Sequence, residues 1–315
     1  MTRVIIDTDP GIDDTAAIFF ALAADAFQVE MMTTVFGNAS LEHTTRNALI
    51  LLETAGRSDI PVFAGASRPL LRDASLGTAI HGQNGLGDIA VPPARTSPHA
   101  GRAAERIADA VLADPGEIML LALGPLTNVA LALQIEPAVA TSVREIVVMG
   151  GAVKVPGNVT SVATANLFHD PEAAAIVYRS GAPIVQVGME VCVPTVITHA
   201  RLERLAAAQN RMTDLLLAAT PQIMGFYREA YGLETGVRYN DLVMMTRAIR
   251  PDLFRSVRLP VLVETMGTLT AGQTVPDWHG RWGMAPNVEI CLEVDSETLA
   301  DLFVETLCGW TPPGA

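Results

Sequence analysis

The 315-residue chain is 50% hydrophobic and 17% charged, so a large buried core is available in one domain or two ordinary ones. Its net charge of −13 at pH 7 argues against nucleic acid and anionic membrane surfaces as partners. Cys192, Cys291 and Cys308 lack metal-ligand spacing and the N-terminus lacks a secretory profile, so reduced thiols and a cytoplasmic location are expected.

The first predicted element is a short buried strand, Val4 to Ile6, because β-branched residues bounded by turn signals have that signature. It runs into Asp7-Thr8-Asp9, a Pro10-Gly11 turn, then Asp13 and Asp14. The second acidic pair opens a predicted helix, Ala16 to Leu22, whose N-terminal dipole favours negative charge. Four carboxylates this close repel one another unless something positive sits among them, and no Lys or Arg lies between Val4 and Phe27. An all-oxygen carboxylate set selects a hard cation, Ca²⁺ or Mg²⁺. A solvated acidic turn would explain one Asp; four at the end of a buried strand, where open α/β sheets place ligands, point to a site.

Further along, Val29 to Phe36 is predicted as a strand, Leu41 to Ala55 as a helix and Ile60 to Phe63 as a short strand. Residues 64 to 100 form a long Gly- and Pro-rich loop, a length that is usually functional or disordered. A helix over Arg102 to Leu112 and a buried strand over Ile118 to Leu123 follow. Gly124-Pro125 cuts the longest apolar stretch, so no membrane span is expected. Thr127 or Asn128 is expected to cap a helix over Val129 to Leu133. Then come a strand (Glu145 to Met149), a loop (152 to 169), a helix (Pro171 to Arg179) and a strand (Ile184 to Val187). Leu202 to Tyr231 and Leu242 to Ile249 read as helical. Val257 to Val263 and Val288 to Val294 read as late strands with an antiparallel edge, and Ser296 is expected to cap a closing helix to Leu307. Alternating strands and helices predict an α/β fold with a Rossmann-like, mostly parallel central sheet flanked by helices. With no linker or repeat, one domain over 1–315 is the economical reading.

The octad Asp7-Thr8-Asp9-Pro10-Gly11-Ile12-Asp13-Asp14 closely resembles the N-terminal signature of the inosine–uridine-type nucleoside hydrolases. The match continues in Gly37-Asn38, Thr44-Thr45-Arg46-Asn47, His81-Gly82 with Gly85-Leu86-Gly87, and Gly124-Pro125-Leu126-Thr127-Asn128. Met149-Gly150-Gly151, Gly157-Asn158, Asn166, Asp170-Pro171-Glu172-Ala173-Ala174 and Asp241 complete it over nearly the whole chain. The resemblance implies Ca²⁺-dependent hydrolysis of a ribonucleoside to ribose and free base, through an oxocarbenium-like transition state, by a homodimer or homotetramer. It implies Asp9, Asp14, the Leu123 carbonyl and Asp241 as metal ligands, with Asp9 also the general base that activates water. It implies Asp13, Asn38 and Asn166 on ribose hydroxyls, Asn158 near the 5′ end, and Asp7 as a support from behind.

Two positions depart from the family. Asn240 stands where many members have a His assigned to protonating the leaving base, and Asn is no general acid at neutral pH. Thr164 stands where members often carry a Glu near the 5′ hydroxyl. Both are therefore candidate substrate-contacting positions, and a substrate range shifted from inosine and uridine is expected. His81, in its Gly-rich loop, is the best remaining imidazole for contact with the base, and is assigned a catalytic role. The loop Asp277-Trp278-His279-Gly280-Arg281-Trp282-Gly283 is expected either to line the base pocket or to pack against protein. Tyr227, Tyr231 and Tyr239 are core by default, although one near Asp241 could reach the base. His43, His99, His169 and His199 read as structural or solvated. Two rival classes remain at this point. Asp7-Thr8-Asp9 also resembles the first motif of haloacid-dehalogenase-like phosphatases, but Lys154, the sole lysine, is poorly placed for that chemistry. A non-catalytic nucleoside or sugar binder is the other.

Overall fold

The computed structural model describes residues 1–312. Eight strands form one sheet: β1 (Thr2–Thr8), β2 (Phe27–Thr34), β3 (Val62–Ala64), β4 (Ile118–Ala122), β5 (Glu145–Met149), β6 (Ile184–Val187), β7 (Phe254–Leu259) and β8 (Val288–Val294). Their order is β3-β2-β1-β4-β5-β6-β8-β7. All neighbours are parallel except β8 and β7, so the antiparallel edge is β7. The chain winds outward from β1 in one direction through β2 and β3. It then returns to β1's other side and winds the opposite way. That reversal leaves a crevice at the carboxyl ends of β1 and β4, where a doubly wound sheet binds ligands.

Both sheet faces are covered. Val4 and Ile6 point into one core with helices Ile12–Ala23, Leu41–Ala55, Asn240–Ile249 and Ser296–Cys308; Ile5 points into the other, with helices Ala103–Ala113, Thr127–Ile135 and Pro171–Tyr178. Strand alternation gives Asp7 the parity of Ile5, so it faces the second core. No described helix is long and apolar enough to cross a membrane.

Several expectations are refined. The long helical stretch breaks at Gln209, whose φ is 49°, into His199–Ala207 and Arg211–Tyr231. Val257 to Val263 is two strands: Pro260 ends β7, and Val261–Val263 pairs instead with Thr274–Pro276. The loop 64–100 contains a four-residue helix, Thr78–His81, and the loop 152–169 contains Ala165–His169. The closing helix is capped by Asp295, which accepts the Thr298 N–H, rather than by Ser296. Thr127 and Asn128 lie inside their helix and cap nothing, because their side chains are engaged elsewhere.

Candidate active site

The turn after β1 brings the acidic residues together in the crevice. Gly11 precedes helix Ile12–Ala23, and its N–H donates to Asp14 Oδ2 at 2.9 Å. Asp14 also accepts Thr8 Oγ1 at 2.5 Å and Asn38 Nδ2 at 2.8 Å. Asp13, next on the same helix, turns into the cavity beside His81. Asp241 arrives from the first turn of helix Asn240–Ile249. Asp13, Asp14 and Asp241 each offer a carboxylate oxygen within 4.8 Å of the others, and all three are buried.

Asp9 stands beside this triad. Its Oδ2 accepts the Asn38 backbone N–H at 2.7 Å, while Oδ1 is buried with no partner. It is gripped from two sides: a Cβ on Gly37 would lie 2.0 Å from Oδ2, and one on Gly124 would lie 2.5 Å from Oδ1. The approach leaves room only for hydrogen at both positions. Asp7 is a support, as its parity requires. Its Oδ1 accepts Thr33 Oγ1 at 2.6 Å and Asn128 Nδ2 at 2.8 Å.

Burial dominates the electrostatics. It pushes Asp7 up to about 7 and Asp13 up to about 6. Asp9 and Asp241 rise well above the ordinary carboxylate range through burial and the charges of their acidic neighbours; Asp14 rises for the same reasons. Among the described residues no Lys or Arg lines the cavity to offset them. Asp9 Oδ1 and Asp13 Oδ1 are buried oxygens without partners. Such groups are costly unless paired or on a metal. This donor set therefore fits a hard divalent cation.

Of the acidic residues, Asp13 and Asp241 line the cavity, whereas Asp9 and Asp14 lie behind its wall. Asn38, His81, Leu123, Asn158, Asn166 and Asn240 all border it with Asp13 and Asp241. Asn166 donates its amide to the Leu123 and Met149 carbonyls, which ties β4 to β5. The Leu123 oxygen keeps a second lone pair. Asn158 accepts the Ala165 N–H at 2.9 Å. His81 Nδ1 accepts the Ile12 N–H at 3.2 Å and lies 3.8 Å from Asp13. Burial pushes its pKa down to about 4, so the ring is neutral at pH 7 with a hydrogen on Nε2.

Thr164 is a correction. It is fully buried outside the cavity, and its hydroxyl accepts the Gly151 N–H at 2.9 Å. A short polar side chain here holds the turn after β5, so it offers nothing to a 5′ group. Trp278, His279 and Trp282 do not line the cavity either. Their loop is folded on Asp277, which accepts the His279 and Trp282 N–H groups, and Lys154 lies 4.9 Å above the Trp278 ring. Tyr239 is core, bonded to Thr220, whereas Tyr227 and Tyr231 border the cavity. His169 is structural: it is buried and stacked on Phe36. Two supports escaped sequence reasoning. Thr8 was read only as part of the octad, and Asn128 as a helix cap. The signal for Asn128 was its place in the Gly124-to-Asn128 motif.

Several known proteins are similar to this chain in sequence and in fold. A family model described as inosine–uridine preferring nucleoside hydrolase matches residues 4–301. A probable uridine nucleosidase 2 of Arabidopsis thaliana is 38% identical over 314 residues, 97% of each chain. A pyrimidine-specific ribonucleoside hydrolase, RihA, of Salmonella gallinarum is 36% identical over 304 residues, 96% of this chain and 97% of that one. Among solved structures, a plant nucleoside hydrolase superposes with a TM-score of 0.93 at 37% identity, covering 98% of this chain and 99% of its own. A purine-preferring ribonucleoside hydrolase from Gardnerella vaginalis gives 0.93 at 28% identity, covering 98% of each. Matched along nearly its whole length in sequence and in fold, the chain belongs to the inosine–uridine preferring nucleoside hydrolase family and is a nucleoside hydrolase.

Proposed function

We propose that this hydrolase uses Ca²⁺ and Asp9 to deliver water to the anomeric carbon of a ribonucleoside. The observation that carries the reading is the buried carboxylate cluster with partnerless oxygens and, among the described residues, no Lys or Arg on the cavity wall. Asp9, Asp14, Asp241 and the Leu123 carbonyl would hold the ion, and the geometry adds Asp13 as a neighbour of the same centre. The all-oxygen donor set and its size suit Ca²⁺. When bound, the ion offsets the carboxylate charges and makes nearby water a stronger acid.

The chain's own groups do the rest. Asp9 Oδ1, unpaired and fixed between two glycines, takes the proton from water. Asp13, Asn38 and Asn166 hold the ribose hydroxyls and Asn158 faces the 5′ end, which fixes the anomeric carbon against the attacking oxygen. Negative side chains around the ring stabilise the positive charge that develops as the C–N bond breaks. His81, neutral, contacts the base as a hydrogen-bond donor. With Asn240 in place of an imidazole, the substrate range is shifted. One domain acting as a cytoplasmic homodimer or homotetramer in nucleoside salvage completes this reading.

A panel of ribonucleosides and 5′-modified analogues, assayed with and without chelator, tests it. Turnover that chelator removes and Ca²⁺ restores is expected. Asp9→Ala should abolish it in a folded protein; near-normal activity in that variant would overturn the assignment of the base.

A further inference from the structure

Arg46 and Asn47 do not line the cavity, yet they join two segments that shape it. Both stand on helix Leu41–Ala55, and Asn47 is fully buried. Its amide nitrogen donates to two carbonyls at 2.9 Å each: that of Pro10, in the turn between the acidic pairs, and that of Asn84, in the Gly-rich loop that begins at His81. Pro10 lies 37 positions before Asn47 and Asn84 lies 37 after, so the helix bridges segments that local preference cannot bring together. Arg46 settles which way the amide faces. Its Nε and Nη2 donate to Asn47 Oδ1 at 3.2 and 2.9 Å, which leaves the nitrogen turned to the carbonyls. Arg46 Nη2 also reaches the Asn84 carbonyl at 3.1 Å. The loop held in this way is tied to itself. Asn84 Oδ1 accepts the Leu86 and Asp88 N–H groups, Asp88 Oδ1 accepts the Asn84 N–H, and the Gly87 N–H donates to the His81 carbonyl at 2.8 Å. A shift at Asn84 is therefore passed on to His81. The junction has no slack: a Cβ on Gly85 would lie 2.8 Å from Asn47 Nδ2 and 3.2 Å from the Pro10 carbonyl. Beyond it, His81 Nδ1 accepts the N–H of Ile12, two residues after Pro10.

We propose that Asn47 is a positioning residue for the hydrolysis and acts through His81. It fixes the Gly-rich loop against the acidic turn so that His81 meets the base, and Arg46 keeps its amide in the donating orientation. This rests on the reading of His81 given above. One side chain sets the spacing of the two segments because it bonds both backbones at once. Without it the loop is free to drift from the turn, and a contact misplaced by about 1 Å costs about 100-fold in rate.

The test is a double-mutant cycle on the best nucleoside of the panel, with Ca²⁺ present: wild type, Asn47→Ala, His81→Ala and the double variant. Asn47→Ala should lower kcat/KM by about 10- to 100-fold in the wild-type background and by less than about threefold in the His81→Ala background, because a residue that acts through another is not additive with it. A purely structural role would give the same loss in both. Arg46→Met frees the amide to turn without emptying the buried site. It should show a smaller loss with the same dependence on His81, and it carries the test where Asn47→Ala does not fold. Equal losses in both backgrounds, or no loss in a folded variant, would overturn the positioning role while leaving the hydrolase reading in place. A His81→Ala protein as active as wild type would overturn the reading of His81 itself, and this proposal with it.

Discussion

Gly124 is the sharpest single probe of the site, because its side-chain position is already taken by Asp9. A Cβ there would lie 2.5 Å from Asp9 Oδ1, 2.9 Å from its Cγ and 2.9 Å from Val35 Cγ1. Ordinary van der Waals contact begins near 3.4 Å, so in Gly124→Ala the carboxylate must retreat by most of an ångström. Retreat is blocked on the other side by Gly37, whose missing Cβ would come within 2.0 Å of Oδ2, and by the 2.7 Å bond from Asn38 N–H. Overpacking of this kind costs about 1–3 kcal/mol of stability. A base misplaced by about 1 Å loses about 100-fold in rate, equivalent to about 2.7 kcal/mol of transition-state stabilisation. The assay is kcat and KM on the best nucleoside of the panel, beside urea denaturation of the same preparation. The expected result is a folded protein with kcat down by about two orders of magnitude and KM little changed. A folded Gly124→Ala with kcat within about threefold of wild type would refute the assignment of Asp9 as a tightly held base.

Three further outcomes are expected. Metal-free protein should lose stability as pH rises from about 4 to about 7, because Asp7 and Asp13 titrate near 7 and 6 when folded but near 3.9 when unfolded. The folded state holds protons that the unfolded state has shed across that window. Ca²⁺ should therefore raise the urea midpoint more at pH 7.5 than at pH 5, and a larger gain at pH 5 would contradict the cluster's role. Asn128→Ala should cost about 3 kcal/mol in the same measurement, since it strips partners from Asp7 Oδ1, the Thr34 carbonyl and the Ala66 N–H. Gly225→Ala should instead stabilise by about 0.5–1 kcal/mol, because it lies inside helix Arg211–Tyr231 and a Cβ there meets nothing within 4 Å.

The elements nearest the site were the most legible. The β-branched run Val4 to Ile6, the break at Pro10-Gly11 and the paired acids spelled out strand, turn and helix, since each step follows from local conformational preference. Leu41 to Ala55 and Glu145 to Met149 were legible to the residue for the same reason. Local reasoning failed where a side chain had two possible partners. Thr127 and Asn128 are good helix caps in isolation, yet Thr127 donates to Asp170 at 2.7 Å and Asn128 to Asp7. Asp170 lies 43 positions away in the chain and Asp7 lies 121, so no window of sequence shows the competition. Thr164 was placed on the substrate by its family position two residues before Asn166, but it precedes the helix that carries Asn166, and its side chain turns to the Gly151 N–H instead of the cavity.

The sequence by itself determined the chemistry available: the carboxylates, the amides, the missing imidazole and the absence of a basic group among the early acids. Only the tertiary structure decided which of these groups share a space. Asp9 comes from the end of β1, Asp241 from a helix more than 200 positions later, and Asn240 reaches Tyr227 across two helices. Local backbone preference fixes each segment, but only burial of both sheet faces brings β1 beside β4 and gathers Asp13, Asp14 and Asp241 with carboxylate oxygens within 4.8 Å of one another.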